Sequence, residues 1–370
     1  MVDKTSTPEA QPQRPRALSR RSLLRYMAAG AGLAAVGGGI VVAANRPAVS
    51  PRQQGLPRIP DWTAADLPSL QGRSALVTGG NGFPQGDRSG LGFHVALELA
   101  RAGADVTIAS RRVSRGAETV RLIQEMVPAA SIRFESLDLS DLASVSAFTA
   151  SMQQSRGSLD ILVNNAGVMG RPEREVSPSG FERVLATNTL GHFALTAGLL
   201  PLLQKGTVPR VVWVSSSRAF LGTVDLANLQ LVNGYGHGPA YDNSKLANLL
   251  VAFEMQRRSL AEGWGVASIA VHPGIARTFL VPDGPGMDSL EGRNQTLLPF
   301  IFQSPAQGAL PTLYAAASPQ AMGGGYYGPN GPMELGGLPG WAGIPEKADD
   351  TQLAADLWPL LEQLTQLKLG

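Results

Sequence analysis

Tyr241 and Lys245 stand four residues apart in Ala240-Tyr241-Asp242-Asn243-Ser244-Lys245, and on a helix that spacing puts a phenol and an ammonium on one face. A free tyrosine titrates near ~10 and is a poor base at neutral pH. A cation about 5 Å away, at an effective dielectric of about 20, favours the phenolate by about 3 kcal/mol, or roughly 2 pK units. The pair therefore predicts a tyrosine tuned to move a proton on and off an alcohol oxygen, with Lys245 lowering its pKa. Alone, the same spacing also fits a solvated helix face. The serine run Ser215-Ser216-Ser217 and a glycine loop further upstream favour the chemical reading.

These groups need elements to hold them. Ser74-Ala75-Leu76-Val77-Thr78 is a short apolar run ending in Gly79-Gly80-Asn81, and Ser89-Gly90-Leu91-Gly92 follows. Leu91, Val95, Leu99 and Ala102 then recur at helical spacing until Gly103. Strand, glycine loop and helix make a dinucleotide site: glycines admit a pyrophosphate, and the helix N-terminus offers it unpaired N–H groups. Further strands are expected at 105–109, 131–135, 159–163, 210–214 and 266–271, separated by helical stretches. The chain reads as α/β, a doubly wound parallel sheet.

Thr78-Gly79-Gly80 with Gly90 and Gly92, Asp138, Asn164-Asn165-Ala166-Gly167, Asn188, Ser215-Ser216, Tyr241 with Lys245, and Pro273-Gly274 occur in this order. In that order the chain resembles the short-chain dehydrogenase/reductase family, over residues 61–367. The long interval between Ser216 and Tyr241, and Trp62-Thr63 ahead of Asp66-Leu67-Pro68, resemble its retinol-dehydrogenase-like branch. The resemblance implies a Rossmann fold in one catalytic domain with a small substrate cap, and hydride transfer between a nicotinamide and a carbonyl or secondary alcohol. It implies Tyr241 as general acid/base and Lys245 on the nicotinamide ribose. Ser216, with Ser217 as fallback, would hydrogen-bond the substrate oxygen, and Asn188 would support a water-mediated proton relay to the lysine. Thr78, Gly79, Gly80, Gly90, Leu91, Gly92, Pro273 and Gly274 would line the cofactor. Asp138 would meet the adenine edge, and Asn165, Ala166 and Gly167 the ribose side.

Cofactor choice is legible after the second strand. An NAD site usually carries an acid there for the ribose 2′-hydroxyl, whereas this chain has Ser110-Arg111-Arg112. A guanidinium suits a 2′-phosphate, so NADP(H) is expected over NAD(H), with Arg111 as its ligand. The alternative is a pair of solvated arginines at a helix entry. The glycine pattern is also interrupted by the insert Gly82-Phe83-Pro84-Gln85-Gly86-Asp87-Arg88. That insert either bulges outward or folds over the phosphates, with Arg88 as an added cationic contact.

The N-terminal region is a separate matter. Residues 1–58 carry nine Lys/Arg against Asp3 and Glu9, so the remainder of a chain of net charge +2 is mildly acidic, with no patch for nucleic acid. Ser19-Arg20-Arg21-Ser22-Leu23-Leu24 precedes the charge-free, glycine-bearing stretch 27–44. It resembles a twin-arginine signal of the bacterial type, which would hand a folded protein to the translocation machinery, or else an uncleaved membrane anchor through 19–44. The expected organisation is a signal or anchor at 1–45, a proline-rich tether at 46–70 and the catalytic domain at 71–370. There is no cysteine, and His94, His192, His237 and His272 lack ligand spacing, so no metal is expected.

The segments 218–239 and 278–304 carry Phe220, Leu221, Leu229, Leu231, Tyr235, Phe279, Leu280, Val281, Phe300 and Phe302, which suits an apolar carbonyl or alcohol. The sequence leaves a homo-oligomer open. Two non-enzymatic readings use the same fold: an NADP-binding redox sensor, or an exported interaction protein. The intact set Asn188, Ser216, Tyr241 and Lys245 argues against both.

Overall fold

All six expected strands begin and end within two residues of their predicted limits, and β1 and β5 match throughout. They are β1 (Ser74–Thr78), β2 (Asp105–Ser110), β3 (Ile132–Ser136), β4 (Ile161–Asn164), β5 (Arg210–Val214) and β6 (Ala267–Val271). The structure, a computed structural model, describes Gln53 and residues 55–370. The arginine pair, the apolar stretch to Ala44 and the start of the tether lie outside the described residues. Two further strands were not anticipated: β7 (Tyr326–Pro329) and β8 (Pro339–Trp341). The sheet order is β3-β2-β1-β4-β5-β6-β7-β8, parallel throughout except for the antiparallel β7–β8 pair. β1 and β4 are neighbours although two strands and three helices separate them in the chain. The order reverses there, and a crevice opens at the carboxyl ends of the strands.

Alternation along the strands sorts side chains onto two faces. Ala75, Val77, Ile161, Val163, Val212, Val214, Ile269 and Val271 share one buried cluster with α1 (Leu91–Arg101), α2 (Val113–Met126) and a later helix, Leu310–Ala317. Leu76, Leu162, Val211, Trp213 and Ala270 share the other with α3 (Leu142–Ser155), α4 (Gly191–Leu203), α5 (His237–Glu262) and the last helix, Thr351–Thr365. Burying one such aliphatic side chain contributes about 1.5–3 kcal/mol, so a sheet covered on both faces is strongly held in register. Register sets the site. Thr78 pairs with Ala109, Asn164 with Trp213 and Val214 with Val271, so the strands end level and their loops emerge together.

The body reaches back before residue 71. Ile59, Trp62 and Leu70, in the stretch expected to be a tether, are buried. Trp62 packs edge-on against Tyr314 at 5.5 Å, and the Trp341 indole N–H donates to the Pro57 carbonyl at 3.0 Å. A run of prolines extends a chain but does not keep its large apolar side chains in water. No helix among the described residues is long and apolar enough to cross a membrane.

Candidate active site

Thr78, the last residue of β1, organises the nucleotide side. Its Oγ1 accepts from the Asn165 and Ala166 N–H groups, each at 3.0 Å, while the Asn165 amide donates to the Thr78 carbonyl at 2.7 Å. These bonds join the loops after β1 and β4 across the crevice. Gly79 has φ +68°, and a Cβ there would lie 2.8 Å from the Ala166 Cα. The bare backbone that results is the surface a pyrophosphate needs. Gly80 lies on Ile108 of β2, and Gly92 against Asn165. Gly90 caps α1, Leu91 opens it, and Leu91 packs on Gly308. On the far side of the site the Pro273 carbonyl accepts from the Gln303 amide at 2.6 Å, and Gly274 follows in a left-handed turn.

The insert between the glycines is a small hairpin. The Gly90 N–H donates to the Gly82 carbonyl at 2.6 Å, closing its base, and Gln85 pairs with Arg88 around Gly86 and Asp87. Arg88 does not turn toward the phosphate loop. It donates to Gln295 Oε1 at 2.5 Å and to the Thr278 carbonyl at 3.4 Å, while Asp87 pairs with Arg277. The insert therefore does not bulge free; it clasps the segment 277–295. That segment contains a short helix, α6 (Leu290–Leu297).

Tyr241, Ser244, Lys245 and Asn248 lie on the inner face of α5, all buried. The Lys245 ammonium donates to the Val214 carbonyl at 2.9 Å, and Ser215 Oγ to the Lys245 carbonyl at 2.7 Å, which lock α5 onto the end of β5. Ser216, next along, accepts from the Arg218 N–H at 3.2 Å, leaving its own O–H free to donate, and it is hydrogen-bonded with the Tyr241 phenol. Asn188 sits in a π-helical turn (Ala186–Leu190) that leads into α4. Its amide accepts from the Val168 N–H at 2.8 Å and donates to the Val168 carbonyl and to Ser244 Oγ, each at 3.0 Å. With its side chain fully engaged, Asn188 holds the β4 loop against α5. A Cβ on Gly167 would come within 3.4 Å of Lys245 Nζ and 3.5 Å of Asn188 Oδ1, so glycine keeps the backbone bare beside both.

The electrostatics differ from the sequence expectation. Burial pushes the Tyr241 phenol up to about 12, against a hydrogen bond with Ser216 and the charge of Arg218. Burial also pushes the Lys245 ammonium down to about 8. Lys245 is not among the groups that oppose burial at Tyr241; its ammonium donates to the Val214 carbonyl and lies 5.5 Å from the centroid of the tyrosine ring.

Some residues joined to this site escaped the sequence reading. Arg218 forks onto Asp242, at 2.5 and 2.9 Å, and its Nη1 lies 3.8 Å from Glu291 of α6. It is the cation whose charge opposes burial at Tyr241; its places two after Ser216 and, for Asp242, one after Tyr241 were the available signals. His192, one turn after Asn188, is fully buried. Because the Asn188 carbonyl can only accept, His192 Nδ1 carries the proton toward it at 3.0 Å, and Nε2 meets Thr78 Oγ1 at 2.9 Å. Burial pushes this imidazole down to about 4, so it stays neutral and joins the nucleotide loop to the π turn.

Around Tyr241 gather Met169, Val184, Ala240 and Val281, with Val168, Leu231, Tyr235, Leu280 and Met287 half-buried beside them. Of the expected apolar residues, Leu231, Tyr235, Leu280 and Val281 are therefore at the site. Leu229 packs on the main core, Phe279 meets Arg115, and Phe220 and Leu221 are exposed. Arg111 and Arg112 leave β2 exposed, just past Ala109, whose carbonyl accepts from the Gly79 N–H at 2.8 Å. Asp138, just past β3, is half-buried, and its Oδ1 accepts from the Ser140 N–H and hydroxyl. Among the described residues no acid–histidine cluster could hold a metal.

The sequence profile described as short chain dehydrogenase matches residues 74–284. A polyprenol dehydrogenase of Mus musculus is 39% identical over 272 residues, 72% of this chain and 78% of the mouse protein. Retinol dehydrogenase 14 of Homo sapiens is 35% identical over 365 residues, 92% of this chain and 98% of the human one. The crystal structure of an uncharacterized protein from Mycobacterium paratuberculosis superposes with a TM-score of 0.68 at 37% identity, covering 84% of this chain and all of that one.

Proposed function

The chain belongs to the short-chain dehydrogenase family of NAD(P)-dependent oxidoreductases, and from that premise we propose that it uses NADP(H) to interconvert an apolar alcohol and its carbonyl compound, with Tyr241 as general acid/base. The observation that carries this reading is the meeting of Ser216, Tyr241 and Lys245, all buried, inside the apolar cluster at the strand ends. The bare backbone at Gly79 and Gly167 fits a dinucleotide, which Thr78 to Gly80, Gly90 to Gly92, Asn165 to Gly167, Pro273 and Gly274 would hold. When bound, that group supplies or accepts the hydride.

The residues of the chain do the rest. Ser216, whose oxygen already accepts a backbone N–H, turns its proton toward the substrate oxygen and stabilises the charge that develops there. Tyr241 protonates that oxygen in reduction and takes the proton back in oxidation. A phenol held up to about 12 keeps its proton at neutral pH, which favours the donating role. Arg218 and Ser216 are the groups that offset burial when the phenolate must form. Lys245, beside the bare backbone of Gly167, would hold the ribose hydroxyls, and Asn188 and Ser244 support the wall behind it. Met169, Leu280, Val281 and Met287 exclude water from the reacting oxygen and receive the apolar part of the substrate.

Polyprenol and retinol, the alcohols in two relatives' names, are both isoprenoid, which suits this lining. Arg111, in place of an acid, supports NADP(H). NADPH consumption with a series of isoprenoid aldehydes of rising length, beside short polar aldehydes, tests the reading. Each methylene buried is worth about 0.8 kcal/mol, so kcat/KM rises roughly fourfold per added buried carbon until the lining is filled. A profile that is flat, or that favours the polar aldehydes, contradicts it.

A further inference from the structure

We propose that Arg115 is a second phosphate ligand of the cofactor site, closing on the 2′-phosphate of the adenosine ribose together with Arg111. The proposal rests on the NADP(H) reading above and names a residue that the sequence pattern did not single out.

Arg115 is the third residue of α2, the helix that follows Ser110-Arg111-Arg112. Side chains on a helix lean toward its N-terminus, so Arg115 leans back to the point where the chain leaves β2. Its guanidinium lies between two aromatic rings, 5.2 Å from the centroid of Phe83 and 5.2 Å from that of Phe279. Phe83 belongs to the hairpin inserted in the glycine loop, and Phe279 lies 3.8 Å from where a Cβ on Gly82 would be. The stack therefore stands at the rim of the glycine loop on its β2 side, where the adenosine half of a dinucleotide lies in this kind of sheet.

The hydrogen-bonding state of Arg115 is what points to a ligand. Its Nε and Nη2 are buried and have no hydrogen-bond partner. Arg73, Arg183 and Arg257 also have a buried nitrogen without a hydrogen bond, but each faces a carboxylate: Asp160, Glu175 and Glu254 respectively. Arg115 faces only rings. Two aromatic faces hold a guanidinium in place and attract its charge, yet they leave in-plane N–H donors unanswered. An edge of donors, fixed in direction and shielded from water, matches an anion with several oxygens, and a phosphate fills that requirement with paired bonds. Arg88, the other cation of the insert, is already occupied by Gln295 and the Thr278 carbonyl.

Calorimetric binding of 2′,5′-ADP and of 5′-ADP to wild type, Arg111→Met and Arg115→Met separates the possibilities, with Arg115→Gln as a second neutral variant in case the methionine does not fold. Wild type is expected to bind 2′,5′-ADP more tightly. Each Arg115 variant is expected to lose about tenfold or more for 2′,5′-ADP, the loss of a charge-assisted pair, while 5′-ADP binds as to wild type and reports an intact fold. Wild-type affinity for both probes, or an equal loss for both, overturns the role of Arg115. If Arg111→Met loses discrimination while the Arg115 variants keep it, the NADP(H) reading stands and this proposal alone fails. If wild type itself does not discriminate between the probes, both fail.

Discussion

Burial works against the charge of Lys245, and the cost has a sign that can be measured. An unfolded chain holds this proton up to its ordinary value of 10.5, the folded chain only up to about 8. Between those values the unfolded state binds more protons, so stability rises with pH across that window and is lower on the acid side. The shift corresponds to about 3 kcal/mol at neutral pH, partly offset by the bond to Val214. Lys245→Met should therefore be no less stable than wild type at pH 7 in urea denaturation, and should lack the rise between pH 8 and 10.5, while losing turnover. Parallel stability–pH curves for the two proteins would show that the ammonium is not desolvated as described. Tyr241 and Lys245 were legible as a pair from their spacing, but not in their charge balance. Which way an ammonium points, here to the Val214 carbonyl, depends on where β5 ends relative to α5, and no local pattern carries that.

The hairpin inserted in the glycine loop acts on a different element from the one its position suggests. Arg88 and Asp87 reach the segment 277–295, whose Leu280, Val281 and Met287 line the space around Tyr241. Arg88→Met should accordingly raise KM for apolar aldehydes about tenfold, the order expected for one charged hydrogen bond, with the Kd for NADPH unchanged. A weaker NADPH affinity with KM unaltered would instead make Arg88 a phosphate contact. Elements with short continuous apolar runs, such as Arg210-Val211-Val212-Trp213-Val214, were readable in advance. Tyr326-Tyr327-Gly328-Pro329 was not, since a short strand ending in glycine and proline gains its identity only by pairing with β6 and β8. The π turn around Asn188 was hidden because the extra residue shows only in a backbone bond, from the Gly191 N–H to the Ala186 carbonyl, while Thr187, Asn188 and Thr189 are merely weak helix formers.

At the scale of the whole molecule, one arrangement brings every part together. Parallel strands end level, the order reverses between β1 and β4, and the loops after β1, β4, β5 and β6 meet over the crevice. Thr78 and His192 connect the nucleotide side to the π turn, Asn188 and Ser244 connect that turn to α5, and Arg218 connects Asp242, beside Tyr241, to Glu291 of α6. The sheet and the nucleotide loop could be foreseen because they follow from runs of a few residues. Arg115, Arg218 and His192 could not, because their partners come from segments far apart in the chain. The Ser216 hydrogen bond and the charge of Arg218 act on one group, the phenol of Tyr241, so its removal is the most direct test. Single-turnover reduction of an apolar aldehyde by wild type and by Tyr241→Phe, each saturated with NADPH, should differ by about 10²–10⁴ in rate, with NADPH affinity within a few-fold. Equal rates in the two proteins would contradict the account.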